Sequence, residues 1–159
     1  MEPLKVGDKA PDFELKASGN RTVRLYDLLK EGKPVVLAFF PAAWSSVCSE
    51  EMSVFQEVQD EFKRLNARLL GISVDNAYTL DAWAEAKGLA FPLLADFHPQ
   101  GDVGEKYGIR MDNGTEGRAL FIVDTDGVIR YSYLSPPAKN PGAAGVLDAL
   151  EKMRPAKKG

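Results

Sequence analysis

The stretch Val35-Val36-Leu37-Ala38-Phe39-Phe40-Pro41-Ala42-Ala43-Trp44-Ser45-Ser46-Val47-Cys48-Ser49-Glu50-Glu51 joins two kinds of sequence. Residues 35 to 40 are apolar without alternation, the pattern of a strand covered by helices on both faces. Pro41 ends it, because proline has no N–H to give to a sheet ladder. From Ser46 onward Met52, Phe55, Val58, Phe62 and Leu65 recur at helical spacing between Gln, Glu, Asp and Lys, which predicts one long amphipathic helix over about residues 46 to 65. Cys48, the only cysteine, then falls in the first turn of that helix, just beyond the carboxyl end of the strand.

The position has chemical weight. The nucleophilic form of cysteine is the thiolate, and the unpaired N–H groups and dipole of a helix start favour negative charge. The plain alternative is an inert core thiol, since free cysteine is among the most buried residue types. The flanking Ser45, Ser46, Ser49, Glu50 and Glu51 are unusual neighbours for such a thiol and argue for a reactive one.

A chain of 159 residues with 45% hydrophobic and 27% charged residues is sized for a single domain, 1 to 159, with a real core. The basic end, Lys152, Arg154, Lys157 and Lys158, reads as a solvated tail over 154 to 159. No apolar run is long enough to span a bilayer, and the opening Met1-Glu2-Pro3-Leu4-Lys5 lacks the apolar core of a secretory signal, so a cytoplasmic location without membrane contact is expected. A net charge of -3 offers no basic face for nucleic acid. One cysteine makes no internal disulfide, and one cysteine with one histidine makes a poor metal site, so no metal or other cofactor is expected.

Around the central junction, Phe13 to Leu15 and Thr22 to Leu25 alternate about Ser18-Gly19-Asn20, a hairpin signature. Tyr26 to Leu29 reads as one helical turn. Ala67 to Val74 is a second apolar strand, followed at Asp75 and Asn76 by a helix with Leu80, Trp83 and Ala84 that Gly88 stops. Leu93 and neighbours form a short extended segment, and residues 101 to 108 a short helix. Two strands, 119 to 123 and 128 to 133, flank the turn Asp124-Thr125-Asp126-Gly127, and a helix over about 141 to 153 turns Val146, Leu147 and Leu150 inward. The expected fold is α/β: a central mixed sheet with parallel strands inside, helices on both faces and an N-terminal β-hairpin. Sites in such sheets form beyond the carboxyl ends of the strands, where Cys48 lies.

Pro41-x-x-x-Ser45-x-x-Cys48, after an apolar strand and opening a helix, resembles the active-site signature of the peroxiredoxins, thiol peroxidases of thioredoxin-like fold. Gly7-Asp8-Lys9-Ala10-Pro11-Asp12-Phe13 resembles the family's opening, Phe91-Pro92-Leu93-Leu94-Ala95-Asp96 also fits, and Arg118 falls where the family keeps its active-site arginine. The likeness is greatest to one-cysteine members of the alkyl hydroperoxide reductase E and bacterioferritin comigratory protein types. Two departures stand out. Ser45 takes a position usually held by threonine, keeping the hydroxyl but losing χ1 restraint, and no second cysteine is present to resolve an oxidised Cys48. A competing likeness, to thioredoxin-like dithiol oxidoreductases through Trp44-Ser45-Ser46-Val47-Cys48, lacks the first cysteine of the pair, so dithiol exchange is closed to this chain alone.

The resemblance implies reduction of hydrogen peroxide or organic hydroperoxides through a sulfenic acid on Cys48. An external thiol, of low molecular weight or on a glutaredoxin-like or thioredoxin-like protein, would then reduce it, and the chain would form a homodimer. Cys48, Ser45, Arg118 and Pro41 are the catalytic candidates: Ser45 to align the peroxide, Arg118 to hold the thiolate charge, Pro41 to shield the pocket. Glu51, three residues after Cys48 on one helix face, would oppose a thiolate unless paired, and the resemblance implies pairing with Arg118. An arginine before a strand is by default a surface charge. A peroxide-sensing or binding module without efficient turnover, and a protein with an inert thiol, are the readings to be told apart from the enzyme. Phe39, Phe40, Trp44 and Trp83 read as core more readily than as a pocket wall, His98 as an exposed loop residue, and residues 110 to 117 as a mobile loop bordering the site or a dimer contact.

Overall fold

The computed structural model describes residues 2 to 153; the basic tail expected over 154 to 159 lies outside the described residues. Strands β1 (Glu14–Ala17), β2 (Arg21–Arg24), β3 (Val35–Phe39), β4 (Arg68–Ser73), β5 (Leu93–Ala95), β6 (Arg118–Val123) and β7 (Ile129–Ser135) form one sheet in the order β2-β1-β5-β4-β3-β6-β7. The β3–β4 and β4–β5 pairs are parallel, and the remaining pairs are antiparallel. The mixed sheet and the N-terminal hairpin agree with the sequence reading. The helices are α1 (Leu25–Leu29), α2 (Ser46–Glu57), α3 (Gln59–Arg64), α4 (Ala77–Lys87), α5 (Asp102–Lys106) and α6 (Ala144–Met153).

Strand β3 shows why the centre is apolar on every residue. Val36 and Ala38, with Phe40 beyond the strand end, belong to a core that also contains Met52 and Phe55 of α2, Trp83 of α4 and Val146 of α6. Val35, Leu37 and Phe39 belong to the opposite core, with Leu25 of α1 and Val103 of α5. Alternation along the strand sends successive side chains to two separate oily layers. Gly71 on β4 is needed for close approach, since a Cβ there would lie 2.6 Å from the Leu93 side chain. Asn76 caps α4 by accepting a hydrogen bond from the Thr79 amide, and Gly88 ends it in the left-handed conformation, φ 64°, which glycine adopts without a Cβ penalty.

Three expectations are corrected. The single helix over 46 to 65 is two helices, because Val58 (φ -104°, ψ 20°) leaves helical geometry; the Gln59 side-chain amide donates to the Phe55 carbonyl, the acceptor a continuous helix would give to the Gln59 N–H. The bend keeps Phe55 and Phe62 both buried, ring centroids 6.2 Å apart. The last helix starts at Ala144 rather than 141, because Gly142 is left-handed, φ 69°. Residues 110 to 117, expected as a mobile loop, are a bonded turn: the backbones of Arg110 and Glu116 form an isolated antiparallel β-bridge, the Met111 amide donates to the Thr115 carbonyl and the Gly117 amide to that of Ile109.

Candidate active site

Cys48 is the third residue of α2, so its amide is among the N–H groups that no intrahelical carbonyl reaches. The chain arrives there through Trp44, whose φ of 70° is strained for a bulky side chain and costs about 1–3 kcal/mol. That kink turns the chain from the end of β3 into the start of α2. The approach is tied down from the neighbouring strand: the Ala43 amide donates to Asp75 Oδ2 at 2.7 Å, and the Ser73 hydroxyl donates to the same oxygen at 2.7 Å.

Arg118 opens β6, antiparallel to β3, and so stands at the same sheet edge where β3 ends. Its guanidinium Nη1 donates to Cys48 Sγ at 3.1 Å and to Glu51 Oε1 at 2.9 Å. The surface charge that is the default for such an arginine is not observed, since Arg118 is 2% exposed and Glu51 0%. Nε and Nη2 both donate to the Pro137 carbonyl, at 3.0 and 2.8 Å. One planar cation thus serves three acceptors in a fixed fork. Burial works to lower the Arg118 pKa, but the bonds to Cys48 and Glu51 outweigh it and the net direction is up, so the guanidinium stays charged. For Glu51 burial is the larger effect and Arg118 offsets only part of it, leaving the carboxyl pushed up to about 7. Its Oε2 is buried with no hydrogen-bond partner.

The structure therefore brings together Cys48, Arg118 and Glu51. Cys48 is fully buried, with Met52 and Phe55 in the same core cluster, and its polar wall is the guanidinium rather than the serines that flank it in sequence. Ser45 is exposed and its hydroxyl donates to the Ala42 carbonyl at 2.9 Å; Pro41 is half-buried. Phe40 and Trp83 are core, ring centroids 5.3 Å apart, Phe39 lies on the other face of the sheet, and Trp44 and His98 are exposed. The Pro137 carbonyl has no counterpart in the sequence reading: a backbone acceptor leaves no side-chain signature. A second buried carboxyl was also missed. Glu116 is 0% exposed beside Asp96, whose oxygens accept the Val103 and Gly104 amides; burial first, and then Asp96, hold Glu116 well above the ordinary carboxylate range.

The fold is shared with solved peroxiredoxin-type structures. Peroxidoxin BcpB from Mycobacterium tuberculosis superposes with a TM-score of 0.84 at 30% identity, covering 96% of this chain and 99% of that one. Mycobacterium tuberculosis AhpC gives 0.85 at 25% identity, covering 96% and 94%. These likenesses and the single thiol define the class, a thioredoxin-like thiol-dependent peroxidase. The AhpC/TSA family model matches residues 6–132, and the chain belongs to that family. Alkyl hydroperoxide reductase E of Mycobacterium tuberculosis is 36% identical over 137 residues, 86% of this chain and 89% of the relative. The chloroplastic 2-cysteine peroxiredoxin of Chattonella marina var. antiqua is 34% identical over 139 residues, 81% and 70%. The protein is a peroxidase oxidoreductase, and having one cysteine it fits the one-cysteine type.

Proposed function

We propose that the Cys48 thiolate attacks the terminal oxygen of hydrogen peroxide or an organic hydroperoxide. The S–O bond forms as the O–O bond breaks, sulfur is oxidised to a sulfenic acid, and the departing oxygen takes up a proton as water or alcohol. The observation that carries this reading is the single guanidinium nitrogen 3.1 Å from Sγ in the first turn of a helix. Arg118 stabilises the thiolate and the charge that moves onto the leaving oxygen. Glu51 orients Arg118 through Nη1. Ser45 aligns the peroxide: while its hydroxyl donates to Ala42, its free lone pair accepts from the peroxide O–H. Pro41, with no N–H to compete, shields the approach.

Return to the thiol draws on outside reductant, since Cys48 has no partner cysteine in the chain. One thiol, of low molecular weight or on a glutaredoxin-like or thioredoxin-like protein, condenses with the sulfenic acid to a mixed disulfide and water, and a second thiol releases Cys48. A reducing, cytoplasmic setting supplies such thiols, and no described helix is long and apolar enough to cross a membrane. We place the protein there as a homodimer. Exposed aromatic side chains at Tyr78 and Phe97, lining one groove with His98, support association, and sedimentation tests it.

Stopped-flow mixing of the reduced protein with peroxide, beside Cys48→Ser, tests the central claim. The expected result is reaction far faster than free cysteine, lost in Cys48→Ser, and multiple turnovers once a thiol reductant is added. Reaction no faster than free cysteine would eliminate the peroxidase mechanism, and one fast turnover without recycling by any thiol class would leave the sensing module instead.

A further inference from the structure

We infer that Glu51 serves the site as a neutral acid, and that its ionisation divides Arg118 between two anions and so closes the reactive range on the alkaline side. This rests on the proposed role of Cys48. Cys48 and Glu51 are one helical turn apart on α2 and bond to the same Arg118 nitrogen, at 3.1 and 2.9 Å. The other two guanidinium nitrogens are committed to the Pro137 carbonyl. Neither of those nitrogens bonds to Glu51, and Oε2 remains buried without a donor. An ionised carboxylate accepts at about four lone-pair sites; this one, on a side chain with no exposed surface, would have a single bond.

The charged and titratable groups facing Glu51 are Cys48 on its own helix and Arg118 on β6. With a thiolate and a carboxylate together, the site holds two anions against one cation. With Glu51 protonated it is neutral, and the carbonyl oxygen of the acid still accepts from Nη1, so the orientation of Arg118 persists. Burial raises the Glu51 pKa to about 7, Arg118 offsetting only part of it, which puts the change inside the working range of a peroxidase. Displacement at oxygen moves negative charge from sulfur onto the leaving oxygen. An arginine shared with a carboxylate stabilises that charge less, so Glu51 acts as a positioning residue with a pH limit built in.

The test is the rate constant of the reduced protein with hydrogen peroxide across a pH series that brackets 7. The unaltered protein should lose reactivity by about tenfold above that value, the equivalent of one pKa unit of differential interaction. Glu51→Gln, neutral at every pH and of the same shape, should keep its acid-side rate and show no alkaline fall. A monotonic rise to a plateau in the unaltered protein, or the same fall in Glu51→Gln, would overturn the inference while leaving the peroxidase standing. Reaction no faster than free cysteine at any pH would instead take down the peroxidase reading, and this one with it.

Discussion

Arg118→Lys keeps the positive charge of the site and removes its geometry. The native guanidinium makes four hydrogen bonds to three acceptors: two to the Pro137 carbonyl, one to Glu51 and one to Cys48 Sγ. An ammonium is a compact point charge on a flexible stem and does not span from the Pro137 turn to the sulfur while also serving Glu51. The two contacts that Nη1 holds at once, 2.9 Å to the carboxyl and 3.1 Å to the thiol, then fall to one mobile ammonium, and the donor aimed at the sulfur is no longer fixed in place. Loss of one donor aimed at reacting atoms costs about 10²–10³ in rate, or about 3–4 kcal/mol. The assay is stopped-flow reaction with peroxide followed by intrinsic tryptophan fluorescence, since Trp44 lies four residues before Cys48, with far-ultraviolet circular dichroism to establish the fold. A lysine variant within about threefold of the native rate, a barrier change under ~1 kcal/mol, would show that charge alone suffices and would refute the argument from fork geometry.

Ser135→Ala frees the turn that carries the Pro137 carbonyl, since the buried Ser135 hydroxyl donates to the Lys139 carbonyl at 2.9 Å; the loss of about 1 kcal/mol of stability should lower the urea midpoint, and the loosened acceptor of Arg118 should slow the peroxide reaction several-fold in stopped-flow mixing. Glu116→Gln should stabilise the protein increasingly as pH rises from 4.5. Folded Glu116 keeps a proton that the unfolded chain has lost, so native stability falls with rising pH until the folded group ionises, and glutamine removes that slope; urea unfolding at mildly acidic and at neutral pH measures it. Phe40→Ala empties a fully buried site against Trp83 and should cost about 3–5 kcal/mol in urea unfolding.

Elements with strong local signals were read correctly from the residues. The hairpin of β1 and β2, the strand at Val35, the turn Asp124 to Gly127 and the Gly88 stop of α4 each depend on side-chain period or on the backbone preference of one or two residues. The break at Val58 was missed because Met52, Phe55, Phe62 and Leu65 keep their helical spacing across it, and the competing bond from the Gln59 side chain has no mark in that pattern. The turn at 110 to 117 was read as mobile from its polar residues, yet Glu116 within it is buried. Composition reports how often a residue type faces water, and a buried carboxyl is the exception it passes over.

Taken alone, the order of residues placed a thiol at the start of a helix beyond a buried strand, because strand, breaker and helix start are all written within a dozen neighbouring positions. The pairing of Cys48 with Arg118 joins residues 70 apart in the chain, and it exists because β6 runs antiparallel to β3 and starts where β3 ends. The resemblance anticipated that partner. The Pro137 carbonyl, the orphaned Oε2 of Glu51 and the pKa of about 7 that follows from its burial came only with the packed structure, since desolvation and backbone hydrogen bonding depend on what surrounds a group in space and not on its neighbours along the chain.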